Sequence, residues 1–281
     1  MIAILSPAKT VRDNDEVAAT TLPSSCSKRR EGLVARLRKQ SAASLKDAMK
    51  VSAKIAGDVE GYYASFGSGA AGAACMVYDG PAYKGLDALS LLKADKLDNL
   101  QSHLRIISGL YGLLKPLDAI DKYRLCMGLK AYDLYEHWGD SLAQELLEDL
   151  QAKLRDEQEK KENKGQVLRP VIVNVASEEY FKAVLNPLKK LPSCPKDILI
   201  ITCAFKTSGS NSMVYTKKAR GLMAHWIALK DIHSSSIGDL AKLREFNLEG
   251  YSYKAAQSTE TVYVFDRSSA PGGGTKRKKE D

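Results

Sequence analysis

Four short runs of apolar residues constrain the fold of this chain more than any other feature. They are rich in β-branched residues, and the first is stopped by Pro7. Short, bounded runs of this composition are typical of buried β-strands. They lie at residues 2–5, 171–177, 198–205 and 261–266, and we predict a further strand at 75–78.

Helical patterns occupy much of the remaining chain. Leu45, Met49, Ile55, Val59 and Tyr63 recur at near-helical spacing, with lysines opposite. Similar patterns predict helices at 27–40, 44–66, 94–107 and 132–155, and a segment at 213–229 that starts extended and becomes helical near residues 218–220.

Strands and helices do not alternate regularly along the chain. We therefore predict an α+β (irregular α/β) fold, in one compact domain with a mixed sheet. The domain covers residues 1–266 and carries a charged surface loop at about 155–166. Residues 267–281 are predicted to be a disordered basic tail.

Composition limits the functional class. No apolar run reaches the length of a membrane span, and the polar, non-basic start does not predict a signal peptide. The five cysteines lack CxxC spacing and the four histidines lack metal-ligand spacing, so we predict no metal site and no cofactor. The net charge of +8 favours polyanionic partners.

The stretch SGLYGLLKPLD at 108–118 has the layout of a helix-hairpin-helix, with a helix ending at Ile107 and another starting near Pro116. Such a hairpin presents backbone amides to DNA phosphates, and a nearby lysine adds a charged contact. The alternative is a tight turn that joins two core elements. The predicted DNA-binding residues here are Gly109, Leu110, Tyr111, Gly112 and Lys115.

Two further stretches are candidate anion sites. Lys9 and Thr10 follow the first strand in SPAKT, where α/β proteins place binding groups. Lys217, Lys218 and Arg220 lie near a predicted helix start, where free amides add positive potential. Solvated surface cations are the alternative for both stretches.

Ser177 follows a strand beside acidic residues, and we interpret it as a helix N-cap rather than a nucleophile.

The sequence resembles the bacterial peroxide-stress protein YaaA family over most of its length, from Met1 to about Tyr251. The resemblance rests on several words in fixed order: SPAKT (6–10), YDGPAYKGLDA (78–88), LRIISGLYGLLKPLDAIDKYRLCMG (104–128), LYEHWGD (134–140), NVASEEYFKAV (174–184) and KKARGLM (217–223).

This resemblance implies a single-domain fold unlike common superfolds, a helix-hairpin-helix element and binding to double-stranded and irregular DNA. It also implies protection from hydrogen peroxide and a link to lower free iron. Two positions depart from the family pattern: Cys126 stands where the family usually has an acidic residue, and His225 where it often has arginine.

We therefore expect a protein that binds double-stranded or branched DNA without sequence preference and limits iron-dependent DNA damage during peroxide stress. The alternative is an enzyme acting on a nucleotide, nucleobase or damaged DNA through a lysine-containing cleft. It is suggested by the proximity of Lys115 and Asp118 in the sequence, and its candidate groups are Lys9, Lys115, Asp118, Tyr123 and Arg124. A third hypothesis, direct iron handling, rests on the family's stress role alone.

We expect the protein in the cytoplasm, or in the nucleus if the KRKK tail acts as an import signal. The sequence predicts no catalytic residue, no specific protein partner and no oligomeric state.

Overall fold

A seven-stranded mixed sheet runs through the centre of the protein. The structure is a computed structural model that describes residues 1–14, 16–23, 27–69, 71–160, 168–210, 212–232 and 236–268. In chain order the strands are β1 (Ile2–Leu5), β2 (Thr10–Val11), β3 (Gly72–Ala73), β4 (Tyr78–Asp79), β5 (Leu104–Ser108), β6 (Gly112–Leu114), β7 (Ala119–Ile120), β8 (Val171–Asn174), β9 (Leu199–Thr207), β10 (Ser252–Tyr253) and β11 (Val262–Arg267).

The spatial order in the main sheet is β10-β11-β9-β8-β1-β5-β6. The five inner strands are parallel, and the two edge strands β6 and β10 are antiparallel to their neighbours. Strand β1 is fully buried, since Ala3 pairs with Leu104 on one side and Val173 on the other. The small sheets pair β2 with β4 and β3 with β7.

The carboxyl ends of the parallel strands share one edge of the sheet. The chain leaves β1 to form β5 on one side of it and returns to form β8 on the other. Ligands of open α/β sheets bind outside the carboxyl ends of the strands at such a change of direction. The loops that follow β1 and β8 are therefore the expected place for a ligand.

Helices pack against the strands of the sheet. They are α1 (Ser27–Arg38), α2 (Ala42–Met49), α3 (Ala53–Ala64), α4 (Ala74–Val77), α5 (Pro81–Leu86), α6 (Ala88–Lys93), α7 (Leu97–His103), α8 (Leu134–Trp138), α9 (Ser141–Glu159), α10 (Glu178–Leu188), α11 (Met213–Leu229) and α12 (Ile237–Arg244). Short 3₁₀ helices lie at Leu248–Gly250 and Ala255–Gln257.

The predicted fold class is confirmed: the chain forms one α+β domain around a mixed sheet. The four main predicted strands correspond to β1, β8, β9 and β11. The division into domain and tail stays a prediction. The charged segment 155–166 is helical as far as Glu159, in α9, and residues 161–167 and 269–281 lie outside the described residues.

Several predicted elements are wrong. Residues 74–77 form a helix before the short strand β4, and the helix predicted at 94–107 ends at His103, where β5 begins. The 44–66 helix is two helices, because Lys50 takes a left-handed conformation with φ of 52°. Helix α11 already begins at Met213.

The helix-hairpin-helix is also wrong. The stretch at 108–118 turns between antiparallel strands β5 and β6, with Ser108 paired to Gly112. Every residue of β5 is buried, on both faces of the strand, so the spacing of Leu104 and Ile107 fits a buried strand as well as a helix.

Candidate functional site

The loop after β1 is held in place by hydroxyl contacts. The backbone N–H of Ser177 donates to Ser6 Oγ at 2.9 Å, and the two serine hydroxyls are 3.2 Å apart. Tyr83 OH donates to the carbonyl of Ser6 at 3.1 Å. Ser177 occupies the N-cap position of α10 but makes no side-chain capping bond, since its hydroxyl faces Ser6. These contacts tie the ends of β1 and β8 together.

An open cleft of about 380 Å³ lies beside this loop, and we name it the Lys9 cleft. Residues from five parts of the fold converge on it: the loop after β1, the end of helix α2, the segment after β7, helix α8 and helix α10. Its charged and polar lining comprises three cations, one carboxylate, one thiol and one phenol, namely Lys9, Arg124, Lys182, Glu179, Cys126 and Tyr135.

Backbone contacts fix the position of Arg124 in the cleft. Arg124 Nη1 donates to the carbonyl of Lys9 at 3.1 Å, so the guanidinium bridges the 120s segment to the loop after β1. The carbonyl of Arg124 in turn accepts from Tyr63 OH at 3.2 Å. Lys9 itself is exposed, and its ammonium is therefore available to an anion in solvent.

Helix α10 forms the opposite wall. The Glu179 carboxylate accepts from the amide of Gly128 at 2.9 Å, and its carbonyl accepts from Tyr135 OH at 2.8 Å. Lys182 Nζ stands 4.7 Å from the centroid of the Tyr135 ring. The one carboxylate of the lining is thus engaged by a backbone amide, whereas Lys9 and Lys182 remain exposed. The cleft has a net positive lining.

Cys126 lies among these charges. Burial raises the pKa of its thiol, and the nearby Glu179 carboxylate raises it further. Lys9 and Arg124 lower that pKa without reversing the effect of burial. At neutral pH the side chain is therefore a protonated thiol, not a thiolate.

Residues 1–257 match the model of the family described as "Peroxide stress protein YaaA". The chain belongs to this family. It is 38% identical to a UPF0246 protein of Shewanella woodyi over 95% of this chain and 99% of the relative. A UPF0246 protein of Ralstonia nicotianae is 37% identical over 96% of the chain and 100% of the relative, and one of Maricaulis maris is 41% identical over 72% and 70%.

The glycine-bracketed stretch at 108–118, one of the motifs that match the family, packs into the core of the structure. Residues 109–112 are buried, and the amides of Leu110 and Tyr111 donate to Ser108 Oγ at 3.2 and 3.0 Å. A Cβ on Gly109 would lie 2.3 Å from the carbonyl oxygen of Leu125. These amides are thus not presented to a phosphate backbone. The geometry is that of the alternative given above, a tight turn that joins two core elements.

A chain of buried hydroxyls lies below this turn. Ser108 Oγ is 2.6 Å from Tyr123 OH, which is 2.5 Å from Tyr78 OH. Burial raises the pKa of both tyrosines, so both are neutral. Tyr123 therefore joins strand β5 to the Arg124 segment and does not act as an ionised group.

Lys115 and Asp118 are engaged in a local turn. Asp118 Oδ2 accepts from the backbone N–H of Lys115 at 2.8 Å, and Oδ1 accepts from Thr21 Oγ1 at 2.5 Å. Asp118 is buried. The pair thus stabilises the turn, and its geometry gives no support to lyase chemistry at Lys115.

The other predicted cations lie on α11, and they do not line the Lys9 cleft. Lys217 is exposed, Lys218 forms an ion pair with Glu249, and burial lowers the pKa of Arg220. Thr10 lies in the exposed strand β2. Of the ten predicted site residues, the cleft contains Lys9.

Sequence reasoning missed Glu179, Lys182 and Tyr135 as cleft residues. Glu179 and Lys182 lie in the motif EEYFK, and Tyr135 lies in LYEHW. Only the tertiary structure brings the two motifs to the same cleft.

In the described part of the chain, no group of three or more His, Cys, Asp or Glu side chains is placed to hold a metal ion. Among the same residues no helix is long and apolar enough to cross a membrane. The compartment stays a prediction, and the KRKK tail lies outside the described residues.

Proposed function

We propose that this chain acts in the response to hydrogen peroxide by binding nucleic acid through the Lys9 cleft, and that this binding limits iron-dependent damage to DNA. The observation that carries the proposal is the convergence of Lys9, Arg124 and Lys182 on one open cleft beside the carboxyl ends of β1 and β8. The family membership supplies the link to peroxide stress.

The charge distribution favours a phosphate backbone as the ligand. Lysine and arginine side chains release condensed counterions when they neutralise phosphates, and this term does not depend on base sequence. The net charge of +8 adds long-range attraction. The partner is thus double-stranded or branched DNA, bound without sequence preference and with an affinity that falls steeply with salt.

A mobility-shift series on duplex and branched DNA, across a range of salt concentrations, tests the cleft. Lys9→Glu and Lys182→Glu should weaken binding on every sequence, and each should reduce the slope of log affinity against log salt by about one. Lys196→Glu is the matched control. Lys196 is exposed and precedes β9, so it lies where the parallel strands begin, whereas the cleft lies where they end. Cleft variants that bind like the wild type would refute the assignment.

The protective role needs a separate assay. Duplex DNA treated with ferrous iron and hydrogen peroxide should be nicked more slowly when the wild-type protein is present. Lys9→Glu should lose this protection together with DNA binding, and Lys196→Glu should keep it. Protection that survives the loss of binding would separate the two parts of the proposal.

A second candidate is an enzyme acting on a nucleotide, nucleobase or damaged DNA. The cleft volume of about 380 Å³ favours it, since this size falls within the range of small-molecule sites. The attacking amine would be Lys9. Borohydride should then trap a covalent adduct between Lys9 and a damaged oligonucleotide, and Lys9→Arg should abolish it. Absence of an adduct on abasic and base-damaged substrates removes the lyase form of this candidate.

A further inference from the structure

The first turn of α11 and Arg267, at the end of β11, form a second positively charged region. It lies at the edge of the sheet where the parallel strands end. Helix α11 begins at Met213, and the side chain of its N-cap residue, Ser212, makes no capping hydrogen bond. Met213 is 79% exposed and Val214 62% exposed, so this turn is open to solvent. The N-terminus of a helix of this length presents unpaired N–H groups and the positive end of the helix dipole.

The buried side chain of Arg267 packs against this turn. It is the last residue of β11 and pairs in register with Thr207, whose hydroxyl accepts from Arg267 Nε at 3.2 Å. Its guanidinium carbon is 4.3 Å from the ring centroid of Tyr215, in the first turn of α11, and 4.9 Å from that of Tyr251. The guanidinium thus packs against two aromatic rings beside the first turn of α11.

The terminal nitrogens of Arg267 are short of acceptors. The residue is 2% exposed, and neither Nη1 nor Nη2 has a hydrogen-bond partner among the described residues. Glu249 Oε2 is 3.5 Å from Nη1, but the same carboxylate also pairs with Lys218. A buried guanidinium with unsatisfied N–H groups is destabilising unless an anion compensates it.

Apart from Glu249, which Arg267 shares with Lys218, the charged groups described nearby supply no anion to the guanidinium. The Asp266 carboxylate accepts from the amide of Gly209, at 3.1 and 3.3 Å. Lys206 donates to Gln257, and Lys217 is exposed. The surroundings of α11's first turn therefore carry more positive than negative charge.

We propose that the first turn of α11 and Arg267 form a binding site for a phosphate group. The amides of Met213 and Val214 donate to the phosphate oxygens, and the buried guanidinium supplies a fixed positive charge beneath them. The phosphate belongs either to a free nucleotide or to a nucleic-acid backbone. This site shares no residue with the Lys9 cleft, so it does not depend on the function proposed for that cleft.

Amide chemical shifts of the ¹⁵N-labelled full chain test the site. The titrants are inorganic phosphate, adenosine 5′-monophosphate and a short single-stranded oligonucleotide. We expect saturable shifts of the amides of residues 213–215 with at least one titrant. Saturation by inorganic phosphate assigns a free-anion site, and saturation by the oligonucleotide alone assigns a backbone contact.

Substitutions at the exposed Met213 separate binding from folding. Met213→Asp places a carboxylate at the helix N-terminus, which stabilises the helix but competes with the phosphate, and binding should weaken about tenfold or more. Met213→Gln, which is neutral and of similar size, should bind like the wild type.

Arg267→Gln should weaken binding in the same way, and Met213→Asp decides the matter if Arg267→Gln does not fold. Lys9→Glu should leave the shifts at 213–215 unchanged, so that failure of the cleft is distinguished from failure of this site. If none of the three titrants shifts these amides, or if Met213→Asp binds as tightly as Met213→Gln, Arg267 only clamps β11 to α11 and the proposal is wrong.

Discussion

The Glu179 carboxylate accepts a hydrogen bond from the backbone amide of Gly128 at 2.9 Å. This contact joins the first turn of α10 to the segment that carries Arg124 and Cys126. It also places a negative charge near the Cys126 thiol, in a cleft that Lys9, Arg124 and Lys182 also line. Glu179 therefore has two separable roles, as an acceptor that fixes the wall of the Lys9 cleft and as a charge that opposes anions in it.

The first prediction separates these roles through the acidity of Cys126. Glu179→Gln keeps an acceptor for Gly128 but removes the charge, so the pKa of the thiol should fall, since the carboxylate raises it. Lys9→Met should move that pKa upward, because the ammonium lowers it. Site-resolved alkylation rates of Cys126 across a pH series, read by mass spectrometry, measure both shifts.

Buried cysteines provide the internal control in this experiment. Burial raises the pKa of Cys75 and of Cys203 to about 12. Their alkylation should stay slow in both variants. Equal pH profiles of Cys126 in Glu179→Gln and in the wild type would contradict the electrostatic role.

The second prediction concerns the crossing of α5 and α11. A Cβ on Gly221 would lie 1.7 Å from the carbonyl oxygen of Ala82 and 2.8 Å from the amide nitrogen of Leu86. Backbone cannot yield at such a crossing without moving a helix, so Gly221→Ala should destabilise the fold by about 3 kcal/mol. Urea denaturation measures the change.

The matched control is a glycine in an open helical position. Gly61 lies inside α3, and nothing stands within 4 Å of a Cβ built on it. Gly61→Ala should stabilise the protein by about 0.5–1 kcal/mol through helix propensity. Similar free energies of unfolding for both variants would show that the α5–α11 crossing is looser than described.

The third prediction concerns the turn between β5 and β6. Gly112 has φ of 78°, and a Cβ there would stand 3.1 Å from the Trp138 ring. Gly112→Ala adds backbone strain to this crowding and should cost about 1–3 kcal/mol. Gly67, with φ of 86° and open space around it, isolates the backbone part, and Gly67→Ala should cost about 1 kcal/mol.

Thermal unfolding of the two glycine variants gives the comparison. If Gly67→Ala costs as much as Gly112→Ala, the contact with Trp138 contributes nothing. Loss of DNA binding in a Gly112 variant would, on this structure, report a damaged core rather than a lost phosphate contact.

The fourth prediction is a pH dependence of stability. Burial, together with the nearby Arg105, lowers the pKa of Lys153 to about 8, from 10.5. Between these values the unfolded chain binds more protons at this lysine than the folded chain does. Stability from this group therefore rises as pH increases from about 8 to 10.5.

Lys153→Met should remove that rise. Urea midpoints measured at several pH values from 7 to about 10 should climb less in the variant than in the wild type. Burial raises the pKa of Tyr63 and Tyr78, which opposes stability above pH 10, but this contribution is common to both proteins. Urea midpoints that rise equally with pH in Lys153→Met and in the wild type would contradict the prediction.

The main strands were predictable because their signal is local. The runs that became β1 and β8 are buried at every residue, as strands covered on both sides of a parallel sheet must be, and those that became β9 and β11 are rich in β-branched and aromatic residues. The same property misled the prediction at β5. Strand β5 is buried on both faces, so its sequence shows no alternation of buried and exposed residues, and the preceding helix α7 extends the apparent helical pattern.

The candidate site was only partly visible in the sequence. Lys9 could be proposed because it follows a buried strand, where binding groups collect. Cys126 was noticed as a departure from the family pattern, but its neighbours Glu179 and Lys182 come from a helix far along the chain. Gly85 and Gly221 belong to the motifs that match the family, but the sequence does not explain why glycine stands there. The structure does, because a Cβ at either position would collide with the backbone of the other helix where α5 and α11 cross.

By itself, the sequence determined the α+β class, the principal strands, the positive charge and, through its ordered words, the family. These depend on composition and on the spacing of residues close together in the chain. The tertiary structure alone decided that the glycine-bracketed stretch is a buried turn, that Lys9, Arg124 and Lys182 line one cleft, and that Arg267 packs against Tyr215 of α11. Those relations depend on strand order and register, because the parallel pairing of β1 with β5 and β8 unites segments that the chain holds far apart.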